Sequence, residues 1–592
     1  MKKIPVIIAS AIAAAAVVLS LVSCGGSKLI LSTDSEEIIF DGVPMQGYTI
    51  NGTRVISVED LERYGFEIRD SEKEINAVGG ESITEIPDTS GISRTIAELS
   101  KAKPSKKTIK INSLRIDGYE AEGRHYVALD KLCAFRTEYN SLWGYSDYNF
   151  VSHNENGKII VDVFRIRIID IGAQWDRLNA MVSVPEMELY TEDYSRSSVP
   201  YYGARLEPPA GIYAGVNGDD VFESDCLGSS LNYIEFSDYQ KDILKPNKDY
   251  VKAHSCIITA AWNIDDLADV FDREEYIRET LDNLAKYHKP VIVRIGAEMN
   301  VSELGDAPAA YVNAFRMISS IVHEYPDFAV MWSPNDMCAL NKPFEYYWPG
   351  DEYVDWIGVS AFMKKHFSGD TTLPRDGNVY FMTGDFAYTT NTLKNITDFM
   401  ERHGIEKPIA VSEGGTVTQL NYPNGGEIEE WSKTRLGYMY WYAPMRFPQL
   451  KLINYFNHNM PEEMQFFNMH DRPEFVALIN EALSNGQYRR TANDTPSFTF
   501  AKAADRTYEQ TAIPLYTYAY LPEETIQKVE YLLDGGLLFE STKIPYKYTP
   551  TTEFLPEGKH ELVVRITGSS SVKEMEFSLT RQGKSVTISN KK

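Results

Sequence analysis

The sequence predicts a multidomain protein whose centre, residues 185–488, is a (β/α)8 TIM barrel, with an α+β repeat module before it and an all-β sandwich after it. Three observations lead there. Eight short apolar runs alternate with helical periodicity through the middle of the chain. A β-β-α order occurs twice near the N-terminus. Residues 498–592 alternate apolar and polar side chains between glycine turns. At 592 residues, 43% of them hydrophobic, the chain is long enough to give each part its own core.

From the start of the chain, Lys2 and Lys3 precede an apolar run from Ile4 to Val22, with small residues behind it. That order is a secretory signal peptide, residues 1–23. The ending Leu21-Val22-Ser23-Cys24 resembles a bacterial lipobox. The resemblance implies lipidation at Cys24 and a protein of the bacterial cell envelope, extracytoplasmic and held to the membrane by its lipid. An uncleaved membrane anchor is the alternative, and it too exports the body. Residues 24–35 read as a flexible tether. Cys133, Cys226, Cys256 and Cys338 form neither a CxxC nor a Cys/His cluster. They predict no zinc site, and their density predicts no disulfide framework.

In the module at 36–165, an Asn51-Gly52 turn precedes a short helix over Val58 to Tyr64. A Glu122-Gly123 turn precedes strand residues His125 to Ala128 and a second helix. The stretch between, about Asp70 to Lys107, is polar and reads as loop. This duplicated unit resembles the repeats of copper amine oxidase N-terminal-like stalk domains. The resemblance implies spacing or adhesion, including contacts with cell wall or glycan, and no copper chemistry.

Barrel strands are expected at 211–217, 231–237, 255–262, 290–296, 328–333, 354–360, 408–413 and 451–456. They are apolar throughout, as strands covered on both faces must be. Ile277, Leu281, Leu284 and Tyr287 make a helical stripe before the fourth strand, and Tyr311, Phe315, Ile318 and Val322 make one after it. An open doubly wound sheet is the alternative, but no glycine-rich phosphate loop follows the first strand to support it. Past a linker at 485–497, the turn Asp534-Gly535-Gly536 and the alternating Met575, Phe577 and Leu579 mark the β module. It resembles the immunoglobulin-like modules appended to bacterial glycoside hydrolases, without a Cys-Trp-Cys core signature.

The net charge of −25 repels phosphate backbones and anionic lipids. That argues against nucleic acid as a partner and leaves neutral ligands such as sugars unopposed. The 37 Tyr and eight Trp include aromatic faces for such rings, although most belong in cores.

Chemistry in a (β/α)8 barrel sits where strands end. Glu298 stands just past the fourth strand in "RIGAEMN", and Glu413 closes the seventh in "KPIAVSEGG". These strands lie across the mouth from one another. Two acids there can cleave a glycosidic bond: one protonates the leaving oxygen, and the other attacks the sugar or activates water. A separation of about 5–5.5 Å marks a nucleophile and retention of configuration. Either glutamate alone would be an ordinary loop residue. Arg294 lies four residues before Glu298 on the same strand face, where it would orient the acids or form a plain ion pair. Asn300 would bond a sugar hydroxyl or cap the next helix. Trp262, Trp332 and Tyr455, near the ends of strands three, five and eight, are candidate sugar-stacking residues, and His458 could reach the cleft.

With "VMWSPND" and "WPGDEYVDWIGVSAF" (Trp348 to Phe362) between them, the two acidic segments resemble glycoside hydrolase family 26, the β-mannanase family. The likeness spans roughly half the chain. It implies Glu298 as general acid/base, Glu413 as nucleophile, a polysaccharide substrate, and neither metal nor cofactor. Two positions depart from the family. Ala297 stands where His usually precedes the acid, and Phe362 stands where a Tyr hydroxyl usually reaches the nucleophile. Both changes remove polar support. The reading is therefore a retaining, endo-β-1,4-mannanase-like hydrolase of O-glycosyl bonds. The alternatives are a weakened or inactive barrel serving polysaccharide binding or adhesion, and a hydrolase of another β-glycan such as glucan or xylan.

Overall fold

A computed structural model describes residues 29–34, 36–79, 100–111, 114–133, 148–155, 157–165, 184–217, 228–235, 244, 248–264, 267–271, 273–306, 308–335, 343–363, 389–420, 428–460, 465–469, 472–522 and 524–591. The expected signal peptide, Cys24, Cys226 and Cys338 lie outside the described residues. Cys133 and Cys256 are not in a disulfide. The chain divides into two compact units, Met1–Arg167 and Ile168–Lys592.

In the first unit six strands close a small barrel in the order Leu29–Thr33, Tyr48–Ile50, Thr53–Ser57, Arg124–Ala128, Gly118–Ala121, Ser100–Pro104. The two sequence repeats sit side by side in it, with Ile56 opposite Val127. Each repeat's hairpin turns through two left-handed residues, Asn51 (φ 49°) and Gly52 (83°), Glu122 (51°) and Gly123 (77°). That is the turn whose twist matches flanking strands. Two expectations are corrected here. Leu29–Thr33, placed in the tether, is a barrel strand with Leu31 fully buried. The polar stretch from Asp70 to Lys107 contains the strands Glu74–Gly79 and Ser100–Pro104. Ile75 and Ala77 alternate inward there, while polar neighbours on the outer face hide the pattern.

The second unit contains eight parallel strands: β1 (Ile212–Asn217), β2 (Ser229–Glu235), β3 (Ile257–Asn263), β4 (Val291–Ile295), β5 (Phe328–Trp332), β6 (Trp356–Met363), β7 (Ile409–Thr416) and β8 (Leu450–Phe456). Each overlaps an expected run. Pairing of β8 with β1, and of β1 with β2, closes the ring. The helix Glu274–Ala285 buries Ile277, Leu281 and Leu284, and Pro308–Val322 buries Tyr311, Phe315, Ile318 and Val322, as their spacing requires.

The barrel interior is layered. One end is apolar, with Tyr213, Ile257, Ile292, Met331, Trp356, Ala410 and Leu452 in one cluster. Toward the strand ends it turns polar: Ser229 meets Thr259 at 3.0 Å, Asn454 donates to Thr259 and to the Ser412 carbonyl, and Ser333 meets Ser412 at 2.7 Å. Gly215 is required by this layer, since a Cβ there would lie 1.9 Å from Asn454 Oδ1. Small hydroxyl residues in place of branched aliphatics leave room for the large polar side chains above.

The short strand Tyr488–Arg489 adds in parallel beside β1, and the remaining described strands form two antiparallel sheets of three strands and one of six. One three-stranded sheet places Glu186–Asp193, from before the barrel, between Thr499–Lys502 and Leu515–Tyr520. The six-stranded sheet runs Arg506–Tyr508, Ser585–Asn590, Val572–Gln582, Gly558–Gly568, Ile526–Leu533, Gly536–Ser541. The Tyr531 hydroxyl, 2.8 Å from Thr517 Oγ1, joins the six-stranded sheet to the one holding Glu186–Asp193.

Candidate active site

Four strands deliver the polar groups at the barrel mouth. Arg294 on β4 is 1% exposed and would be untenable there without partners. Its Nε donates to Ser333 Oγ at 2.9 Å, Nη2 to Ser360 Oγ at 2.6 Å, and Nη1 to Glu413 Oε2. Nη2 also lies 3.9 Å from Glu298 Oε1. One guanidinium therefore faces both carboxylates.

The two acids differ in environment. The Glu413 side chain is 10% exposed and the Glu298 side chain 30%. Glu413 Oε1 accepts the Tyr233 hydroxyl from β2 at 2.7 Å. Burial, the largest influence, pushes the Glu413 carboxyl above its ordinary range; Arg294 opposes this, Glu298 adds to it, and the Tyr233 hydroxyl again opposes it. Burial and the Glu413 charge push the Tyr233 phenol well above its ordinary value, so it remains a donor.

Glu298 is aimed by its backbone. It adopts φ 59°, a region that costs a non-glycine residue about 1–3 kcal/mol. The turn is held by Glu298 N–H donating to the Ser333 carbonyl at 2.9 Å, while the Glu298 carbonyl accepts from Val301 and Ser302. Asn300 braces the same junction. Its amide donates to the Asn335 carbonyl at 3.1 Å and its Oδ1 accepts the Asn335 N–H at 2.8 Å.

The structure thus brings together Glu298, Glu413 and Arg294, whose guanidinium donates to Glu413 and lies within ion-pair distance of Glu298. Asn300 is fully buried, so it ties loop to loop and neither meets a sugar nor caps a helix. Trp262, Trp332 and Tyr455 are also fully buried and offer no face for stacking. Trp332 donates to the Tyr347 carbonyl and Tyr455 to the Phe467 carbonyl. Alternation explains this: Asn454 points into the barrel, so Tyr455 points out of it. The neighbouring Phe456, half-buried, meets Phe362 edge-on at 5.4 Å and the exposed His458 at 5.4 Å. Sequence reasoning missed Tyr233, Ser333, Ser360 and Ser412. Tyr233 shares a strand face with Leu231, so the period-two rule could have placed it at the mouth. Among the described residues no three His, Cys, Asp or Glu side chains gather as metal ligands.

A closed eight-stranded parallel barrel carrying two glutamates around one arginine is the class that fold and site define. No protein-family model and no curated protein matches the chain. Among solved structures it is similar to an endo-β-1,4-mannanase double mutant from Cellulomonas fimi, at 12% identity and a TM-score of 0.33, covering 62% of this chain and 94% of that one. A family 26 β-mannanase from Bacteroides ovatus matches at 13% identity and a TM-score of 0.33, over 49% of this chain and 93% of that one. A β-glucuronidase from Bacteroides uniformis matches at 12% identity and a TM-score of 0.33, over 78% and 55%. Likenesses this slight assign no family.

Proposed function

We propose that the protein is a retaining glycoside hydrolase of a β-linked polysaccharide, endo-β-1,4-mannanase-like in specificity. The observation that carries this reading is the single Arg294 guanidinium facing both Glu298 and Glu413. Glu413, gripped on both oxygens, is suited to be the ionised nucleophile. Glu298, more exposed, is suited to exchange protons. In the first step Glu298 gives its proton to the glycosidic oxygen while a Glu413 oxygen bonds to the anomeric carbon and the leaving chain departs. In the second, Glu298 takes a proton from water, whose oxygen displaces Glu413. The Tyr233 hydroxyl supplies the contact to the nucleophile that Phe362 cannot.

The lipid anchor at Cys24 and a place on the outer face of the membrane belong to the same proposal. They suit an enzyme whose polymeric substrate cannot enter the cell. A second reading, a barrel that binds glycan without cutting it, draws on Ala297, which gives Glu298 no polar neighbour at that position.

Release of reducing ends from mannan, glucan and xylan separates the two. Glu298→Gln and Glu413→Gln should each lower release at least about a thousandfold with unfolding curves unchanged. Undiminished activity in either variant would refute its assigned role. Binding to the panel without any release would favour the second reading.

A further inference from the structure

Away from the barrel, the first unit carries a cleft of about 340 Å3 where residues 104–109 face residues 115–119. Lys106, Lys107, Arg115 and Lys131 line it, with the acid Asp117 and the half-buried ring of Tyr119. Lys107 is matched by Asp70. Arg115 lies directly opposite Lys110 in the strand pairing, an unfavourable like-charge position, and Lys110 is matched by Glu74 at 2.7 Å. Lys106, Arg115 and Lys131 are exposed and have no acidic partner among the described residues. In a chain with 84 acidic and 59 basic residues, counter-charges are plentiful, yet these three cations share one hollow whose lining holds a single acid, Asp117, paired with none of them.

We propose that this cleft binds an anionic polysaccharide, its carboxylate or phosphate groups among Lys106, Arg115 and Lys131 and a sugar ring against Tyr119. The overall charge of −25 does not forbid this. At physiological salt the Debye length is about 8 Å, so charges farther off are screened and the local cations decide. Single-stranded nucleic acid is a poorer fit, because its binding grooves stack successive bases on several aromatic platforms, and the ring in this lining is Tyr119.

The test is calorimetric titration of the full-length protein with four probes: polygalacturonate, dextran phosphate, neutral galactomannan and single-stranded DNA. One or both polyanionic polysaccharides should bind, more weakly as salt rises, and which one binds identifies carboxylate or phosphate as the recognised group. The triple variant Lys106→Ala, Arg115→Ala, Lys131→Ala should weaken that binding at least about tenfold while leaving galactomannan hydrolysis and the unfolding curve unchanged. The proposal is overturned if neither polyanion binds, if the triple variant binds as tightly as the parent, or if DNA binds as tightly as the polysaccharides. Hydrolysis is read separately, so failure here and failure of the barrel reading are different results.

Discussion

Both oxygens of Glu413 are occupied, one by Arg294 and one by Tyr233. Its ionisation is thus a contest between burial, which favours the proton, and two donors, which favour the charge. Because the folded carboxyl is raised, activity that needs it ionised should fall on the acid side at a pH above the ordinary carboxylate range. Tyr233→Phe removes a donor to the charged form, so the acid limb of kcat/KM should move to still higher pH, with kcat lowered roughly tenfold, about 1.4 kcal/mol. Adding Phe362→Tyr to that variant should restore part of both. A Tyr233→Phe enzyme with an unmoved acid limb would remove Tyr233 from the mechanism. Neither Tyr233 nor the serines around Arg294 announces itself in the sequence, because a tyrosine or serine in a strand is ordinary until its neighbour across the ring is known.

At the level of elements, the junction past β4 and β5 holds the acid in place. Glu298 N–H on the Ser333 carbonyl and the Asn300–Asn335 pair tie the two loops together. Asn300→Ala would strand a buried N–H, which should cost about 1–3 kcal/mol in urea unfolding, with catalysis falling as Glu298 loses its aim. Trp332→Phe should lower stability yet leave KM unchanged, since the indole never reaches the cleft. At the opposite end of β8's apolar run, the buried Lys451 lies 4.0 Å from Glu207, and burial brings its pKa down to about 8. The folded state then binds fewer protons than the unfolded chain between about pH 8 and the ordinary lysine value. Stability should therefore rise with pH across that window, and Lys451→Met should flatten the rise in thermal unfolding.

On the scale of the whole molecule, the division at Arg167 predicts that a fragment spanning 184–592 folds and melts like the second unit of the full chain. A fragment ending at 497 should not, because Glu186–Asp193 would lose both its strand partners and expose Leu189 and Tyr190. Thermal melts of the two fragments distinguish these outcomes. The strand before the barrel belongs to a sheet completed three hundred residues later, and nothing local in "EMELYTED" says so.

Eight doubly covered strands and the helices between them were legible because burial on both faces writes continuous apolar runs, and helical stripes write a period of 3.6. The two glutamates stood out because reactive groups in such a barrel stand toward the strand ends, although the seventh strand runs on past Glu413 to Thr416. The partners of those acids were decided only by the closed ring. It sets Arg294 between Ser333, Ser360 and Glu413, brings Tyr233 across to Glu413, and turns Trp262, Trp332 and Tyr455 away from solvent. Periodicity is a local property of the chain, whereas the side that a residue faces, and what meets it there, depends on register between strands remote in sequence.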